Sequence, residues 1–127
     1  VAPSTSDVEL VLGDSGGFET AGYTSYAGEL TDVGSALISE GYSTAEFMIV
    51  DGASSTGFHG SVTLVLNDAS DTWCISGVMG EGTAAGAVAH YICSGSKSLS
   101  GTLTQIRLQN SLGTNFAGGT VNILIEG

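Results

Sequence analysis

The sequence is 127 residues long, which suits one domain, 1–127, with its own hydrophobic core. Its 13 acids against two bases, Lys97 and Arg107, give a net charge of −11, which argues against nucleic acid and anionic membrane surfaces as partners. With 42% apolar and only 12% charged residues, Ser, Thr, Asn and Gly must supply most of the polar surface, and no apolar run approaches the ~20 residues that span a bilayer.

Val1 in place of Met reads as a processed or truncated start, or as the first ordered residue, and no signal-peptide pattern is present. Hydrophobic periodicity along the chain is two rather than 3.6, and the 20 glycines with a single proline argue against long helices. Strands are expected near 7–12 and 23–28, separated by the glycine-rich turn Gly13-Asp14-Ser15-Gly16-Gly17. That turn carries no Lys and precedes no helix, so it is a hairpin turn rather than a phosphate cradle. Ser35 to Gly41 is the one stretch that suits a short helical turn. Further strands are expected near 45–50 and 60–67, the second with Val62, Leu64 and Leu66 alternating with Ser61, Thr63 and Val65.

Strands near 72–79 and 87–93 follow, joined through a turn centred near Thr83-Ala84. A symmetric register about that turn sets Cys74 opposite Cys93 and Ile75 opposite Ile92, close enough for a disulfide between the cysteines. The alternative is two buried free thiols on one face, acting as small apolar residues. Synthesis in the cytosol favours free thiols, and secretion favours the bridge. Trp73, the only Trp, is expected on the other face from Cys74 as a core anchor, with a sugar-stacking platform as the alternative. Last come strands near 101–109 and 120–126, where Val121, Ile123 and Ile125 alternate with Asn122 and Leu124. About eight such strands with glycine-rich turns predict an all-β fold, a jelly-roll-like antiparallel β-sandwich.

No residue pattern points to catalysis. His59 and His90 are the only histidines, and no serine sits in a Gly-x-Ser-x-Gly elbow. The acids Asp14, Asp32, Asp51, Asp68 and Asp71 fall at turns, where Asp usually makes local caps. The two cysteines and two histidines lack the short spacings of a zinc site. Asn67, Asp68, Ser70 and Asp71 gather oxygen atoms in one loop and offer the one candidate Ca²⁺ site, without EF-hand spacing. No other cofactor is expected.

The run Trp73-Cys74-Ile75-Ser76-Gly77-Val78-Met79-Gly80 resembles a strand of the β-sandwich domains of tailed-phage virion surface proteins, of the tail-fibre, head-fibre or capsid-decoration type. Ser98-Leu99-Ser100-Gly101-Thr102-Leu103-Thr104-Gln105-Ile106-Arg107-Leu108 and Phe116-Ala117-Gly118-Gly119-Thr120-Val121-Asn122-Ile123-Leu124 are similar to the closing turn and strands of that class. So are Leu10-Val11-Leu12, Asp14-Ser15-Gly16-Gly17-Phe18 and Gly22-Tyr23-Thr24-Ser25-Tyr26. The resemblance implies a non-enzymatic structural protein at the virion surface. It would assemble as a homo-oligomer, a trimer or a lattice array, with other virion proteins as neighbours. Members of that class often carry one or two strands upstream of the segment like Val1 to Leu12. The chain is then a fragment, or a smaller sandwich, or a neighbouring subunit supplies the missing edge. Open sheet edges with almost no lysine invite such addition. The outward apolar residues Val65 and Leu124 are the candidate interface positions. Two alternative functions stand beside this one. The first is a module binding host-surface glycan, with Tyr23, Tyr26 and Phe58, and further Tyr42 and Phe116, as candidate contacts. The second is an extracellular filament subunit assembled by strand exchange.

Overall fold

The computed structural model describes residues 6–31, 37–53, 57–67, 70–82 and 88–127. Two antiparallel sheets pack face to face, as the two-residue periodicity predicts. The strands are β1 (Ser6–Asp14), β2 (Gly17–Phe18), β3 (Tyr23–Thr31), β4 (Leu37–Ser43), β5 (Phe47–Ala53), β6 (Phe58–Leu66), β7 (Thr72–Gly82), β8 (Val88–Ser98) and β9 (Gln105–Asn110). The larger sheet runs β4-β3-β8-β7-β6. In the smaller sheet β1 is central, with β9 along one edge and β5 and the short β2 along the rest.

Tight backbone approach explains several glycines on the strands. A Cβ on Gly77 would press into Val62 and the Ser61 carbonyl, and one on Gly95 would meet the Thr24 carbonyl and the Phe47 ring. Phe47 fills the space above Gly95 and meets Tyr23 edge-on at 4.9 Å between ring centroids. Around this pair lies the core of Leu10, Leu12, Ala27, Val50, Ile75 and Tyr91.

The sandwich is closed along one side. The Met48 N–H donates to Ser25 Oγ on β3 at 2.7 Å, and β5 packs against β3, β4 and β8. Met48 and Asp51 also press on Gly41 of β4. The opposite side, between β9 and β6, carries no such closure: β9 pairs only with β1 and β6 only with β7 among the described strands.

Three expectations are corrected. The stretch read as a helical turn is strand from Leu37 onward, because pairing with β3 overrides the weak local helical signal. In the β7–β8 hairpin Cys74 stands opposite Ser96 and Cys93 opposite Gly77. The ladder is centred on residue 85, so the register is offset by an odd number of positions and the cysteines lie on opposite faces. Both are free thiols, but only Cys93 is buried and the two do not share a face, so neither reading holds as stated. Residues 120–126 have the strand pattern but pair with no described strand of their own chain, and 111–127 is exposed throughout. The expected turn at Thr83-Ala84 lies outside the described residues, as do Ser35 and Ala36.

Candidate interaction surfaces

One end of the sandwich is tied by a polar network. Lys97, almost fully buried, donates to Glu19 Oε2 and to the Ser98 carbonyl at 2.7 Å. Ser100 donates to Glu19 Oε1 through its N–H at 2.7 Å and its hydroxyl at 2.6 Å. Asp14 accepts from the Ser100 hydroxyl and the Gly16 N–H. Burial raises the Glu19 pKa, but the hydrogen bonds from Lys97 and Ser100 and the Lys97 charge outweigh it and hold the carboxyl at about 2. Arg107, the other base, lies 4.4 Å over the Phe18 ring. Both cations of the chain are therefore engaged within it.

At the other end Tyr91 donates to Glu81 at 3.0 Å in a buried pair. Burial, and then the charges of Glu81 and Asp51, push the Glu29 pKa up. Among the described residues no group of three or more His, Cys, Asp or Glu is placed to hold a metal ion. Asp68 of the candidate Ca²⁺ loop lies outside the described residues.

The outer face of the larger sheet is apolar at its centre. Val78 and Ile92 are direct cross-strand partners and stand 57% and 53% exposed. They border a shallow depression lined by Ser61, Thr63, Ser76 and Ser94. Tyr26 and Tyr42 are likewise direct partners on β3 and β4, both exposed, and Tyr26 also stands opposite Ser94. Val65, a candidate interface residue, is exposed opposite Cys74.

The second apolar surface is the open side. Ile106 and Leu108 are directly opposite Leu12 and Leu10, so they lie on the core face of β9. Leu10 and Leu12 are buried, whereas Ile106 and Leu108 remain 44% and 38% exposed. Across the opening, Leu66 is exposed opposite Trp73, and Val62 and Leu64 are only partly covered. Trp73 packs on the core, as its anchor reading predicts, but its indole N–H is buried without a hydrogen-bond acceptor.

The sequence candidates divide accordingly. Tyr23 is core: its hydroxyl accepts from the Leu12 N–H at 2.9 Å, so it is no ligand contact. Phe58 is half-buried against the core. Tyr26, Phe116, Val65 and Leu124 are exposed. His59 and His90 flank Gly80 on the outer face, both exposed, with the His59 ring over Gly80. No protein-family model, curated protein or solved structure matches the chain. Tyr42, a further sequence candidate, is exposed as well, whereas Val78 and Ile92 were missed because only the cross-strand register reveals the outer face they share.

Proposed function

We propose that this protein is a non-enzymatic structural subunit of a phage virion surface, a capsid-decoration or fibre component that works by burying its faces against copies of itself and neighbouring virion proteins. The observation that carries this reading is the exposed Val78–Ile92 pair at the centre of the outer face of the larger sheet, bordered by serines and threonines. Contiguous apolar surface rimmed by polar groups is characteristic of protein contacts. The small share of charged residues supports the reading, because contact surfaces are depleted of charge at their centres. The sequence resemblance supplies the setting. Sedimentation velocity on the purified chain tests it: the wild type associates with rising concentration, and replacing Val78 and Ile92 by Ser weakens association about tenfold or more. A wild type that stays monomeric up to ~1 mM rejects the reading.

The Tyr26–Tyr42 pair supports a second reading, a glycan-binding module on the same surface. Exposed aromatic faces stack on sugar rings, and these two stand side by side on adjacent strands. That reading requires binding on a glycan array that disappears in Tyr42→Ala; an array without signal removes it.

A further inference from the structure

We infer that the segment 120–126 of one copy adds as a strand to the free edge of β9 in a second copy and closes the opening between β9 and β6. This rests on the structural-subunit reading and names its partner and its contact. Donor and acceptor are both present in the same chain, and each lacks a partner among the described residues. The donor alternates Val121, Ile123 and Ile125, from 66% to 87% exposed, with Asn122 and Leu124. The acceptor is an edge with unpaired backbone groups beside a core face left bare at Ile106 and Leu108. A two-residue apolar repeat fits that geometry, since alternate side chains enter the gap while the backbone completes the ladder. At ~3.3 Å per residue the donor is about as long as β9.

The segment does not pair with the β9 edge of its own chain, and a fixed turn separates the two. Asn110, buried at the end of β9, accepts from the Leu112 and Thr114 N–H groups, both at 3.1 Å, and donates to the Thr114 carbonyl at 2.7 Å. This turn is completed by Gly113 at φ +67°, a left-handed conformation that favours glycine. The chain leaves the turn exposed and lies against no described strand. A second copy is the occupant that satisfies donor and acceptor together. Repeated head-to-tail, the same contact makes an open array, or a closed ring if the rotation between copies allows.

The test uses two charge-neutral variants of the full chain. The donor variant carries Ile123→Asn and Ile125→Asn, at exposed positions whose replacement leaves the fold intact. The acceptor variant carries Ile106→Asn and Leu108→Asn and is checked for native circular dichroism. Each variant alone is expected to associate about tenfold or more weakly than wild type. Mixed, they form a 1:1 complex through the one intact donor and the one intact edge. If the wild type associates and the donor variant associates equally well, the exchange is overturned while the subunit reading stands on the Val78–Ile92 face. If the wild type remains monomeric with 120–126 exchanging its amides freely, both fail. Protection of those amides in a monomer shows the segment closing its own edge, which also overturns the exchange.

Discussion

Glu19 and Lys97 determine how one end of the sandwich responds to acid. Lys97 is buried beside Tyr23, with Nζ 5.4 Å from the ring centroid, and Glu19 is its carboxylate partner. Because the folded Glu19 pKa of about 2 lies below the ordinary carboxylate value, its contribution is fully present above that ordinary value. It is lost as pH falls toward 2. Glu9 and Glu29 act in the opposite sense: burial raises both, so their contribution is present at acid pH and fades as pH rises through their raised values. Glu19→Gln leaves Lys97 buried without its counter-charge and is expected to cost about 1–3 kcal/mol at neutral pH, allowing for partial solvent screening of Glu19. The gap between wild type and variant in urea unfolding should shrink steadily below pH 4. A gap that holds constant down to pH 2 would show that Glu19 acts through packing and not through charge.

At the scale of strands, the sequence reveals where chain is extended but not always which neighbour it meets. Val62, Leu64 and Leu66 alternate cleanly, and β6 follows that pattern. β4 was hidden because Ala36, Leu37 and Glu40 suit a helix, and only the ladder to β3 decides otherwise. The β7–β8 register was misplaced because the glycine-rich link has no Asn-Gly type pair to fix loop length. That error moved Cys93 to the wrong face. It lies on the inner face at 2% exposure, where burial lifts its thiol pKa to about 11 and leaves it unreactive. It also hid the exposed apolar pair on the outer face, since Ile92 was matched with Ile75 when its true partner is Val78. Val65 is legible as an outward position because alternation within one strand suffices to place it, whereas Leu124 is exposed together with Val121, Ile123 and Ile125, so alternation separates no faces there. The pattern in 120–126 suits a strand with one apolar face, and nothing in the pattern names a sheet for it to join.

For the whole molecule, the balance lies between apolar contact and like charge. Two copies each carrying −11 repel: Lys97 is buried against Glu19, and the exposed Arg107 is one positive charge against thirteen acids. Against this stand Val121, Ile123, Leu124 and Ile125, each of which gains about 1.5–3 kcal/mol when fully buried. Apolar contact acts at short range, whereas repulsion between whole subunits extends over the Debye length, from about 30 Å at 0.01 M salt to about 10 Å at 0.1 M. Salt therefore removes the opposing effect and leaves the favourable one nearly intact. Self-association should strengthen as NaCl rises across that range, and sedimentation equilibrium at the two salt concentrations measures it. A complex joined by ion pairs behaves the other way, so association that weakens with salt would reveal a basic partner surface or a bound cation at the contact instead of two acidic copies meeting through apolar faces.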